Sequence, residues 1–118
     1  QIISFCYVDD IARGTVLALL SEKSDSEIFN IGNDKEMVTI LDAAKKVIEI
    51  SGKQILPKFI SFNDADRSLD RDISKRVPDI TKARKLLGYE PNIFLEDGIR
   101  KVLESGSILE SWIDPMED

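Results

Sequence analysis

Histidine is absent from this sequence of 118 residues. With it go the commonest general base at neutral pH, the Ser–His dyad and most zinc sites. Cysteine occurs once, as Cys6, so no internal disulfide is open to the chain, and a reducing, cytoplasmic setting is expected. No apolar run approaches the roughly 20 residues a membrane helix needs, so no membrane partner is expected. Neither G-x-G-x-x-G nor a P-loop pattern occurs, which removes the two familiar phosphate-cradling glycine loops. Excess positive charge is missing as well. The balance of 16 Lys+Arg against 22 Asp+Glu, net −6, argues against a nucleic-acid surface. There is no signal peptide, and the chain opens on an apolar stretch without Met, which reads as a cut rather than a translation start. What remains for chemistry is carboxylates, the tyrosines Tyr7 and Tyr89, and the cations.

What is present reads as one α/β domain. Ile2–Val8 is rich in β-branched and aromatic residues and predicts a strand, buried on both faces as in a parallel sheet. Asp9 and Asp10 follow, as a paired acid and base or as caps of a helix continuing through Ile11, Val16, Leu19 and Leu20. Gly14 inside that helix costs about 1 kcal/mol against Ala and hints at a close-packed neighbour. Glu27–Gly32 predicts a second short strand, with Asn30 and Asn33 as turn residues or ligand contacts. Thr39 opens the next helix with Asp42 three residues on, Ile40, Ala43, Ala44, Val47 and Ile48 give its core face, and Gly52 ends it. Ile55–Ile60 predicts a third strand, at an edge because of Pro57. Leu95–Leu103 predicts the last helix, followed by a tail in which Trp112 packs.

The stretch Arg67–Pro91 organises the rest. Its second half is punctuated as a short helix: Asp79 as cap, an apolar stripe of Ala83, Leu86 and Leu87, Gly88 to turn left-handed, and Pro91 as a stop. Around its first half, from Asp64 to Asp79, Arg67, Arg71, Lys75 and Arg76 stand among Asp64, Asp66, Asp70, Asp72 and Asp79. Such alternation is either a solvated charged face or a phosphate site, since guanidinium forks match phosphate oxygens and a carboxylate can orient them.

At SFCYVDD, NIGN and RVPDITKARKLLGYEP…LEDGIRK the sequence resembles extended short-chain dehydrogenases/reductases acting on sugar nucleotides. It looks like the C-terminal portion of an NAD-dependent epimerase/dehydratase, from about Ser4 to Val102. The resemblance implies a small substrate-binding portion of a Rossmann-type enzyme whose NAD-binding half is absent. The family's Gly-rich segment and Tyr-x-x-x-Lys motif are not here: Tyr7 is followed by Ile11 and Tyr89 by Ile93 at the Lys position. No cofactor and no catalysis are expected of the chain alone, with NAD belonging to a presumed longer parent. Residues 1–33 would complete the Rossmann half, residues 34–113 would form the sugar-nucleotide subdomain, and residues 114–118 a tail. By the same resemblance Arg76 and Asp72 approach the diphosphate and ribose of a nucleoside diphosphate sugar, with Arg71 and Arg67 as weaker matches. Many relatives have R-S-F-x-Y where this chain has Ile3 at the Arg position. The chain is thus read as the sugar-nucleotide-binding part of an epimerase, dehydratase or decarboxylase, or as an interaction module that kept the fold and lost the ligand. A homodimer is expected if truncation leaves the edge of Ile2–Val8 bare.

Overall fold

The computed structural model describes residues 1–61 and 74–106. In chain order it contains β1 (Ile2–Ile3), α1 (Val8–Leu20), a single 3-10 turn (Glu22–Ser24), β2 (Val38–Thr39), α2 (Ile40–Ser51), β3 (Lys75–Arg76), α3 (Thr81–Leu87) and α4 (Leu95–Glu104). The three short strands form one sheet in the order β2-β1-β3, antiparallel between β2 and β1 and parallel between β1 and β3. Helix α1 packs on α3, and α2 packs on α4. The result is a small mixed α/β fold.

The helices follow the sequence punctuation closely. The Thr39 hydroxyl accepts from the Asp42 N–H at 3.0 Å, satisfying one orphan donor of the first turn of α2. Gly52 and Gly88 close α2 and α3 at φ of 70° and 65°. Asp79 stands one residue before the capping position of α3, yet its Oδ1 accepts from the Thr81 N–H at 3.0 Å, and bonding to Thr81 holds its pKa low.

The strands depart from expectation. β1 ends at Ile3 rather than Val8, and the sheet is mixed, not parallel. Tyr7 caps α1 without a side-chain bond, while Asp9 and Asp10 lie inside the first turn. The Asp10 carboxylate is taken by a distant loop instead. Glu27–Gly32 and Ile55–Ile60 form no strand; the sheet places go to Val38–Thr39 and Lys75–Arg76. β-propensity measures fit to a half-buried pleated surface, and Ile55–Ile60 finds no such surface: Leu56 is 92% exposed. β1 is the central strand, so at Ile2 and Ile3 both edges are already paired, and the edge on which a homodimer was expected is not bare there.

The core is a corner. Ile80, Ala83, Leu87 and Tyr89 are buried, with Leu17, Ala18, Phe29 and Ile31 packed against them. Gly14 permits the close approach that its position hinted at: a Cβ there would lie 2.6 Å from Ile31 Cγ2 and 3.2 Å from the Tyr89 ring.

Candidate functional site

The sheet sets the geometry around the predicted phosphate contacts. In the parallel pair, Ile2 faces Lys75 and Ile3 faces Arg76. The Ile2 N–H donates to the Ser74 carbonyl at 2.8 Å and the Ser4 N–H to the Arg76 carbonyl at 3.2 Å. Directly opposed residues on neighbouring strands share a sheet face, so the Arg76 side chain leaves the sheet beside Ile3. Lys75 and Arg76 are both exposed, and neither forms an ion pair among the described residues. Arg67, Arg71 and Asp72 lie outside the described residues, so of the predicted set the structure locates Arg76.

The other candidates resolve into structural roles. The Tyr89 hydroxyl is buried and donates to the Gly32 carbonyl at 2.8 Å, with Cys6 Sγ at 3.6 Å. Burial, together with the Cys6 contact, pushes its pKa well above the phenolic value, so it stays protonated near neutral pH with its hydrogen committed to the Gly32 carbonyl. Burial likewise raises the Cys6 thiol. Asp9 and Asp10 do not act as a pair. Asp9 is exposed, whereas Asp10 is buried and its Oδ2 accepts from the N–H groups of Asn92 and Ile93 at 3.0 and 2.9 Å. Its Oδ1 accepts from Arg13 at 2.7 Å. Burial alone would raise the Asp10 pKa, but the Ile93, Arg13 and Asn92 bonds outweigh it and hold it below the usual carboxylate range. Asn33 is buried and its Oδ1 accepts from the Lys35 N–H at 2.9 Å, which is turn chemistry, while its Nδ2 has no hydrogen-bond partner among the described residues.

Sequence reading missed the ionic tie behind the corner. Arg84 bonds both oxygens of Asp34 at 3.0 Å and reaches the Glu90 carboxylate, which Lys35 also meets at 2.9 Å. Bonds to Glu90 and then Asp34 raise the guanidinium pKa, and Arg84 and Lys35 lower that of Glu90. Arg13, the lone cation of α1, was the available signal for the Asp10 tie.

Two hollows among the described residues differ from a plain phosphate pocket. An apolar cavity of about 280 Å³ lies between α2, α4 and the segment that joins β1 to α1, lined by Phe5, Val47, Phe94, Ile99 and their neighbours. No cation lines it, so a diphosphate there would lose its hydration without a counter-charge. A shallower hollow beside α3 holds Lys82 and Lys85, but Lys82 is already paired with Glu27 and stacked over Phe29 at 5.2 Å.

The strand-to-helix turns among the described residues carry no glycine. A dinucleotide is held by glycine-bearing turns between a strand and a helix. Here Ser4–Tyr7 joins β1 to α1, β2 runs directly into α2, and Val77–Ile80 joins β3 to α3, all without glycine. The Tyr7 ring also packs closely on Gly98 of α4, where a Cβ would meet it at 3.2 Å.

Comparison with known proteins places this geometry. No family model matches the chain. It is 33% identical over 99 residues to the UDP-glucuronate 4-epimerase of Thermodesulfobacterium geofontis, covering 84% of this chain and 28% of that protein. It is 40% identical over 96 residues to UDP-glucuronic acid decarboxylase 5 of Arabidopsis thaliana, covering 81% of this chain and 26% of that one. Among solved structures it superposes on the UDP-glucuronic acid 4-epimerase of Bacillus cereus, in complex with UDP-glucuronic acid and NAD. There the TM-score is 0.71 at 38% identity, over 85% of this chain and 30% of that one. The chain therefore spans between a quarter and a third of the length of the relatives it matches.

Proposed function

Because the chain belongs to the family of NAD-dependent nucleotide-sugar epimerases and decarboxylases, we propose that it is the part of such a protein that holds the nucleoside diphosphate of the substrate. What supports this reading is the register of β1 against β3. Where relatives were expected to carry Arg ahead of Ser-Phe, this chain has Ile3, and Arg76 stands on the adjoining strand at the same level. A guanidinium delivered from β3 would replace one delivered from β1, with its planar fork on the phosphate oxygens. Asp72, Arg71 and Arg67 complete the proposed contact set from the preceding connection. Residues 1–33 belong with the dinucleotide-binding half and residues 34–113 with the substrate, so the chain alone binds no NAD and performs no hydride transfer. The single Cys6 supports a reducing, cytoplasmic setting. Among the described residues no helix is long and apolar enough to cross a membrane.

The experiment is a titration of UDP into the chain, followed by nuclear magnetic resonance. Binding is weak, because one wall of the cleft is missing. A charge-assisted phosphate contact contributes about 1.5–3 kcal/mol, so Arg76→Ala weakens binding tenfold or more. Added salt narrows that gap by screening. Equal UDP affinity with and without Arg76, or shifts confined to residues far from β3, would sink the assignment.

A further inference from the structure

We propose that the apolar cavity between α2 and α4 is the docking site of the chain's own C-terminal segment, residues 107–116, with Trp112 as the anchor. The cavity is uncovered at one end. Its α4 wall is formed by Leu95, Gly98, Ile99, Val102 and Leu103, the spacing of a single helix face. Exposure grows along that wall toward the C-terminus. Leu95 and Ile99 are half-buried, whereas Val102 and Leu103 are 46% and 39% exposed. The last turn of the stripe is the part without cover, and apolar surface left against water favours any apolar group that can lie on it.

The sequence that follows α4 is patterned to do so. α4 ends at Glu104, and the backbone turns at Ser105 and Gly106. Residues 107–118 lie outside the described residues, and their sequence reads as a second, shorter helix. Ser107 with Glu110 three residues on is a capping box. Ile108, Leu109, Trp112 and Ile113 share one stripe at spacings of three and four, and Pro115 stops the helix. Residues 108–113 would rise roughly 9 Å along such a helix. A helix this short does not hold in water alone and needs a surface to pack on.

The connection between the two helices selects the cavity as that surface. A link as short as residues 105–107 joins two helices as an antiparallel hairpin. Folded back about Gly106, position 109 comes level with Leu103 and position 113 with Ile99. Trp112 then lies across Ile99, Val102 and Leu103, over the uncovered turn. The tether also favours this occupant over a free partner, since a short link holds the segment at an effective concentration on the order of millimolar. The docking does not depend on the substrate assignment.

Trp112 is the single tryptophan of the chain, so its fluorescence reads the contact directly. In the unmodified chain its emission is expected at the short wavelengths of a buried indole, with weak quenching by iodide. Val102→Lys, at a position open enough to take the longer side chain, is expected to move the emission to long wavelengths and to raise quenching severalfold. Hydrogen exchange of the α3 amides is expected to stay unchanged in that variant, so that the corner is still folded. Ile28→Lys, at a position 84% exposed on the corner side, is expected to alter neither emission nor quenching. Trp112→Ala reads the cavity itself: the apolar dye anilinonaphthalene sulfonate is expected to bind severalfold more strongly than to the unmodified chain. Emission of an exposed indole in the unmodified chain overturns the proposal. Protection that survives Val102→Lys also overturns it, because Trp112 then packs elsewhere. Protection lost on dilution overturns it as well, since the occupant is then the segment of a second copy. Equal dye binding with and without Trp112 overturns it even where Val102→Lys fails to fold.

Discussion

The corner where α1, α3 and the Tyr89 ring meet differs from the side where α2 packs on α4, although both are built from similar apolar side chains. In the corner, Ile80, Ala83 and Tyr89 are removed from solvent, and the polar atoms among them are tied across the chain. Tyr89 bonds Gly32, Asp10 bonds the 92–93 backbone, and Arg84 bonds Asp34 and Glu90. On the α2–α4 side, Ala43 and Gly98 are buried, but Val47, Phe94, Val102 and Leu103 remain substantially exposed around the apolar cavity. The polar ties there are peripheral: Glu36 accepts from the Leu95 N–H at 2.7 Å and Lys46 meets Glu96 at 3.8 Å. In so small a chain apolar stripes alone do not close a core. Long-range bonds from buried polar groups fix one corner, and the open side has the marks of a low-stability region: few fully buried side chains and polar partners at the rim.

The comparison breaks most readily at Tyr89. Truncating a buried aromatic costs about 3–5 kcal/mol, and Tyr89→Ala also strands the Gly32 carbonyl. Urea unfolding of this variant is expected to show the largest loss of any single truncation, while Val47→Ala, at a half-exposed site, costs under about 1 kcal/mol since little apolar area returns to water. Similar losses at the two positions would erase the distinction between corner and open side.

Gly14 sharpens it at intermediate size. Helix propensity favours Gly14→Ala by about 1 kcal/mol. The space does not, because the new methyl would sit 2.6 Å from Ile31 Cγ2. Overpacking a tight contact costs about 1–3 kcal/mol, so net destabilisation is expected. A raised thermal midpoint would mean that the corner yields more easily than its burial implies.

How legible this molecule was in its sequence follows the same division. The run Pro78–Pro91 was read nearly as it folds, because capping, an apolar stripe of three or four residues and a left-handed glycine are local instructions. The Thr39 cap and the Gly52 stop were read for the same reason. The strands were not. Ile55–Ile60 had the composition of a strand and Lys75–Arg76 did not, yet the sheet took the second, since pairing is decided by neighbours. The helix of α1 was legible in the spacing of Ile11, Val16, Leu19 and Leu20, but not the direction of that face, which points away from this chain's core. The family resemblance named Arg76 and the Ile3 departure separately; that they are cross-strand neighbours required the register. Asp10 was read as a helix cap, whereas its partners at 92 and 93 are some eighty positions away, beyond any local rule.

That last residue gives the smallest expected effect and the most specific one. Asp10 has a pKa below its unfolded value, which is near 3.9. A depressed folded pKa means that the native state binds fewer protons than the unfolded state between the two values, so stability rises with pH there. The contribution is complete above the unfolded pKa and is lost as pH falls through the folded one. Protonation removes an acceptor from the Asn92 and Ile93 N–H groups and a counter-charge from Arg13, which also donates to the Glu90 carbonyl. The first place to open on acidification is therefore the joint between α1 and the 90–93 loop. Hydrogen exchange at Asn92 and Ile93 is expected to lose protection below about pH 4, ahead of the α3 amides. Asp10→Asn is expected to flatten that dependence at all pH values, since an amide cannot titrate. If protection at 92–93 follows pH with the same slope in Asp10→Asn, the acid response belongs to the exposed carboxylates Glu90 and Glu96, and the corner is held by its apolar packing rather than by this buried charge.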